Sequence, residues 1–118
     1  MQKVYYLSTC DTCKRVMNEV EIPSSYIKQD IKKQGITKDE LKELSTLTGD
    51  YETLFNRRAK LYKERNLKDK NLSEEDFRNL ILEHYTFLKR PVILNNKDIF
   101  IGSAAKTVAA AKKSIHGN

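Results

Sequence analysis

"KVYYLSTCDTCKRVMNEV", residues 3–20, changes its periodicity partway along. Residues 3–7 are rich in β-branched and aromatic types and suit a short buried strand. From residue 13 the spacing differs: Cys13, Val16, Met17 and Val20 fall at i, i+3, i+4 and i+7, one face of a helix. The stretch therefore predicts strand, tight turn, helix. The turn region holds the only two cysteines of the chain, Cys10 and Cys13.

The neighbouring segments extend this pattern. "SYIKQDI", 25–31, alternates as a second strand, ended by Gly35. Thr37 and Glu40 form a capping-box signature, Leu41, Leu44 and Leu47 give the following helix its apolar stripe, and Gly49 ends it. "YETLF", 51–55, suits a short helical turn, and "RRAKLYKERNL", 57–67, is polar with single apolar anchors. Ser73 caps a helix with Phe77, Leu80, Ile81 and His84 on one face. "RPVILNN", 90–96, and "DIFIG", 98–102, read as a hairpin turning at Asn95-Asn96. Ser103 is the predicted cap of a last helix striped by Ala104, Val108, Ala111 and Ile115. The order is βαβ, then helices, then ββα. That is an α/β class and matches a thioredoxin-like fold. The expected core is 1–35 with 88–118, and the expected helical insertion is 37–86, together one domain of 118 residues.

A chain of 118 residues has the size of one domain around one core. With 32% charged and 39% apolar residues the composition is globular. No apolar run is long enough to span a bilayer, and the first residues lack a signal-peptide pattern, so the expected compartment is the cytoplasm and no membrane partner is expected. The net charge is +6. Basic and acidic residues interleave in "TKDELKEL" and "LYKERNLKDK", the pattern of solvated helix faces, so no direct nucleic-acid partner is predicted.

Cytosolic thiols are kept reduced, and a Cys-x-x-Cys there points to redox chemistry or a metal before a structural staple. Zinc needs four ligands, and only His84 and His116 are available to help, at no familiar spacing, so no metal is expected. Cys10 falls where a strand meets a helix N-terminus. Backbone N–H groups and the positive helix end favour an anion there, and Lys14 and Arg15 follow within a turn. Cys10 is thus the candidate nucleophile. Cys13, on the apolar stripe, suits either a resolving thiol or a small buried core residue. In "KRPV", 89–92, Pro91 opens a strand and is either a cis proline presented beside the reactive cysteine, as in thioredoxin-like folds, or an ordinary strand-start proline. Arg90 would then reach the thiolate or an oxyanion. In "LFNRRAKLY", 54–62, Arg57 and Arg58 suit an anion clamp or a solvated face.

Taken together, "CDTCKRV", "LFNRRAKLY" and "LKRPVILNNKDIFIG" resemble the arsenate reductase-like family, which includes the Spx-type transcription regulators. The resemblance covers essentially the whole chain. It implies a thiol-dependent oxidoreductase in which Cys10 attacks the substrate, Arg57 or Arg58 with Arg90 holds the anion, and glutathione or glutaredoxin supplies electrons to a monomer without a bound cofactor. Such arsenate reductases carry three arginines around the oxyanion. Arg90 matches one, Asn56 or Arg57 stands at another, and Gly102 stands at the third. Each charge-assisted contact is worth roughly 1.5–3 kcal/mol, so the resemblance implies weak arsenate binding. The second cysteine resembles the Spx branch, in which the pair is a redox switch and the partner is the C-terminal domain of the RNA polymerase alpha subunit. Gly49 falls near a glycine important in that branch.

Overall fold

The computed structural model describes residues 1–117 and divides into two compact units. One comprises Met1–Gln34 and the segment from Arg90 onward; the other is Gly35–Lys89. The chain has a mixed α/β, thioredoxin-like fold with a helical segment inserted between its second and third strands.

In the first unit, β1 (Gln2–Tyr6), β2 (Ile27–Asp30), β3 (Val92–Asn95) and β4 (Asp98–Ile101) form a sheet in the order β2-β1-β3-β4. β1 runs parallel to β2, with Val4 opposite Lys28, and antiparallel to β3, with Val4 opposite Ile93. β3 and β4 are antiparallel, with Ile93 opposite Phe100. The parallel pair needs a crossover, supplied by helix α1 (Asp11–Val20). Alternation along β1 sends Val4 and Tyr6 to one face. There they meet Val16 and Val20 of α1, Ile93 and Phe100 of the hairpin, and Val108 and Ala111 of α5 (Ala105–His116). Val4, Val16, Val20 and Ile93 are almost wholly buried, each worth about 1.5–3 kcal/mol relative to exposure. The predicted helix stripe is thus the face that packs, with Met17 partly buried beside it.

Two local expectations change. The hairpin turns at Asn96 and Lys97, because Asn95 stays in β3 opposite Asp98. The Asn95 amide accepts from Gln2 (3.1 Å) and from the Tyr26 hydroxyl (3.2 Å) and donates to the Ser114 Oγ (2.9 Å), so tertiary bonds hold it in the strand. Asn96 takes the turn with φ at +58°, a conformation asparagine tolerates. Helix α5 starts later than expected: its N-cap is Ala104, which makes no side-chain cap, and Ser103 lies before it.

The second unit is helical. α2 (Lys38–Thr48) begins with the expected capping box, Thr37 Oγ1 accepting from the Glu40 amide (3.1 Å) and Glu40 Oε1 from the Thr37 amide (2.9 Å). It ends at Gly49 with φ at +93°, which glycine takes without a Cβ clash. A 3₁₀ turn at Glu52–Leu54 and the short α3 (Lys60–Glu64) follow, and α4 (Glu74–Glu83) opens on a second capping box between Ser73 and Asp76. Phe55, Phe77 and Phe87 form its aromatic centre, with Phe55 stacked on Phe87 at 5.4 Å and tilted on Phe77 at 4.9 Å. No helix among the described residues is long and apolar enough to cross a membrane.

Candidate functional site

The site grows from the end of β1. After Tyr6 the chain turns sharply, and the Cys10 amide donates to the Leu7 carbonyl (3.0 Å). Cys10 is extended, with φ at −97° and ψ at 110°, and its carbonyl accepts the Lys14 N–H at 3.2 Å. It is therefore the N-cap of α1. Its Sγ takes the place of the usual capping oxygen, accepting the Cys13 N–H at 3.4 Å. Asp11, Thr12 and the following residues continue the helix, which no proline or glycine interrupts and whose Val16 and Val20 pack on the core.

The two thiols are free and differ sharply. Partial burial opposes ionisation of Cys10, but the amide and thiol of Cys13, the Arg90 guanidinium and the Thr12 amide outweigh it, and its pKa lies below the ordinary thiol value. Cys13 is fully buried. Burial first, then the hydrogen bond to Cys10 and the charge of Cys10, push its thiol up to about 12. One thiol is thus the more readily ionised of the two, and the other is held neutral beside it.

The cation acting on this pair is Arg90, whose positive charge favours the thiolate of both cysteines. It is half-buried, and the Arg90–Pro91 peptide is cis. The Pro91 carbonyl accepts the Gly102 N–H (2.9 Å), which ties the start of β3 to the end of β4. Gly102 has φ at +88°. A Cβ there would meet nothing within 4 Å, yet any L side chain would be strained by the backbone alone.

Sequence reasoning missed a brace behind the cysteine turn. Ser8 Oγ donates to Asp30 Oδ2 (2.5 Å), and Asp30 Oδ1 accepts the Lys32 N–H (3.2 Å). These bonds, that from Ser8 foremost, hold the Asp30 carboxyl below the usual range. Only a serine just after β1 and an aspartate ending β2 signal it, and the parallel pairing that joins them is not local.

The tandem arginines are not equivalent. Arg57 Nη2 donates to Glu52 Oε2 (2.7 Å), and its guanidinium lies 5.4 Å from the Phe77 ring centre and 6.0 Å from that of Phe55. Arg58 is exposed, with its backbone N–H bonded to Asn56 Oδ1 (3.1 Å). The histidines serve the backbone: His84 Nδ1 accepts from the Thr86 amide (3.2 Å), and His116 Nε2 donates to the carbonyls of Val20 (2.8 Å) and Glu21 (3.0 Å). Among the described residues no group of three or more His, Cys, Asp or Glu stands close enough to hold a metal ion.

A strand-to-helix junction with an activated N-cap cysteine, a second cysteine one turn on and an arginine–cis-proline strand start defines a thioredoxin-like thiol site. The chain belongs to the ArsC family, whose model matches residues 5–111. Global transcriptional regulator Spx 2 of Bacillus cereus is 32% identical over 103 residues, covering 84% of this chain and 77% of that protein. Among solved structures, the arsenate reductase from Vibrio cholerae superposes with a TM-score of 0.76 at 22% identity, covering 93% of this chain and 98% of its own. A Staphylococcus aureus COL protein solved in solution gives 0.75 at 29% identity, covering 93% and 97%. This chain is thus similar in sequence to an Spx regulator and in fold to an arsenate reductase.

Proposed function

We propose that the protein is a cytosolic thiol–disulfide oxidoreductase in which Cys10 attacks and Cys13 resolves. The observation that carries this reading is the split between the two thiols, one lowered and exposed enough to react, the other buried and pushed up to about 12. The Cys10 thiolate attacks one sulfur of a disulfide, forming a mixed disulfide and releasing a thiol. Forming that bond consumes the negative charge of Cys10. Two of the influences holding Cys13 neutral then vanish, while Arg90 still favours its thiolate. Cys13 attacks Cys10 Sγ, closing an internal disulfide, and its proton passes to the departing sulfur, which leaves as the second thiol. Two electrons pass from the cysteine pair to the substrate, and glutathione or glutaredoxin returns them.

Arg90 is the anion-binding residue best supported at this site. Arg58 is the more available of the tandem pair, since Arg57 is engaged by Glu52 and the phenylalanines. With Gly102 in the third arginine's place, arsenate is a poor substrate. The deciding experiment is turnover of arsenate and of a general disulfide, side by side, with glutathione and glutaredoxin. Disulfide reduction without robust arsenate turnover supports the reading; no turnover of either would sink it.

A second reading is favoured by the curated relatives, which are named global transcriptional regulators Spx. In it the same pair is a redox switch, and the partner is the C-terminal domain of the polymerase alpha subunit. A pull-down with that isolated domain at physiological salt, in reduced and oxidised states, tests it; binding that changes on oxidation supports a regulator.

A further inference from the structure

The charge of the chain is unevenly divided. The cysteine-bearing unit holds 11 Lys and Arg against 5 Asp and Glu, whereas the helical unit holds 11 of each. The whole surplus of six positive charges therefore sits on the unit that carries the thiols.

Topology brings much of it to Cys10. β1, β2 and β4 all end at the same edge of the sheet, and β3 begins there, because β1 and β2 are parallel and β3 is antiparallel to both its neighbours. That edge receives Lys32 and Lys33 after β2, Arg90 before β3, Lys14 in the first turns of α1 and Lys106 at the start of α5. The four lysines are exposed. Within this unit, the carboxylates of the described residues that the strand and helix termini place at this end are Asp11 and Asp30, and Asp30 is already engaged by Ser8 Oγ, by the Lys32 N–H and by the charge of Lys33. Arg15 is paired with Glu19 (3.2 Å), and Lys112 with Glu21 (3.2 Å) further along the helices. That end of the unit thus carries five cations against two carboxylates, and the N-terminal ends of α1 and α5 add to the field a ligand meets there with the same sign.

We propose that the Cys10 end of this unit selects disulfides whose sulfur is flanked by carboxylates, those of an acidic peptide, with Lys14 and Lys106 setting the preference. The proposal rests on the oxidoreductase reading of the same site. The chemistry is unchanged: Cys10 forms the new S–S bond, the acidic thiol leaves, and Cys13 closes the internal disulfide. The cations act on encounter with the anionic substrate and on the departing thiolate, and Arg90 alone acts on the cysteines themselves.

The test uses the reduced full chain and three symmetric peptide disulfides of equal length, with the cysteine flanked by Glu, Gln or Lys. Exchange rates are measured at low and high salt and divided by the rate of each peptide with 2-mercaptoethanol under the same conditions, which removes intrinsic reactivity. At low salt the Glu peptide should exceed the Lys peptide by roughly tenfold or more, with Gln between, and the spread should shrink as salt rises. The Lys14→Gln/Lys106→Gln protein should lose at least about threefold of the Glu-over-Lys preference. Lys97→Gln, at the hairpin on the opposite edge, should keep it. Equal normalised rates, a preference for the Lys peptide, or an equal loss in Lys97→Gln would overturn charge selection while leaving the oxidoreductase reading standing. No exchange with any peptide would overturn both.

Discussion

Replacing each of the tandem arginines separately decides which of them is structural. Arg57→Ala removes an ion pair to Glu52 at 2.7 Å and a guanidinium lying over the Phe77 ring at 5.4 Å. The two charged side chains are 48% and 52% exposed, so solvent screens the pair and it is worth only about 0.5 kcal/mol. The contact with buried Phe77 adds about 0.5–1 kcal/mol. Together they amount to about 1–1.5 kcal/mol, a fall of roughly 3–6 °C in Tm for a chain of this size. Arg58→Ala, at an exposed position without such partners, should change Tm by less than about 2 °C. Arg57→Lys keeps the charge without the planar fork and should recover less than half of the loss. Thermal unfolding followed by circular dichroism at low and at molar salt separates the contributions, because salt weakens the ion pair and leaves the ring contact. Equal losses for Arg57→Ala and Arg58→Ala, or a loss at Arg57 abolished by salt, would refute the structural assignment of Arg57.

Three further outcomes are expected. Iodoacetamide should modify Cys10 with a pH midpoint below the ordinary thiol value and leave Cys13 largely untouched until near pH 12, and Arg90→Gln should move the Cys10 midpoint upward; peptide mapping after timed alkylation reads both. With a disulfide substrate, Cys13→Ser should accumulate a mixed disulfide on Cys10, visible by intact mass, whereas Cys10→Ser should trap nothing; a Cys13→Ser protein cycling at the parent rate would reduce Cys13 to a packing residue. His116→Ala should cost about 1–2 kcal/mol in urea unfolding, because it removes the donor to the Val20 and Glu21 carbonyls that end α1, and a loss under 0.3 kcal/mol would count against that role.

What the sequence disclosed and what it withheld divide along the range of the forces involved. The strand-turn-helix at residues 3–20 was legible because the change of period is carried by adjacent residues, and the Thr37–Glu40 capping box because both partners lie within one helical turn. The hairpin turn was displaced by one residue because Tyr26 and Ser114, far away along the chain, hold Asn95 in the strand. Ser103 looked like a cap, but the hairpin ends with Gly102 bonded to Pro91, and the helix starts only after Ala104. At the site, the position of Cys10 at a helix start followed from local pattern. That the charge of Arg90 falls on both cysteines depends on pairing β1 with β3, and that Phe77 claims Arg57 rather than Arg58 depends on the packing of α4.

The pairing of β1 with β3 also governs the order in which the chain can become ordered during synthesis. Lys3 is matched to Leu94 and Tyr5 to Val92, so the strand that leads into the thiols is made first and meets its central neighbour almost last. The contiguous segment Gly35–Lys89 is complete before then, and even its widest contacts, such as Phe55 with Phe87, close loops shorter than the one between β1 and β3. A nascent chain of residues 1–91 followed by a linker long enough to clear the exit tunnel should therefore protect amides of α2 and α4 from exchange while Cys13 remains open to alkylation. Its burial, and with it the distinction between the two thiols, arrives only when the closing hairpin is added.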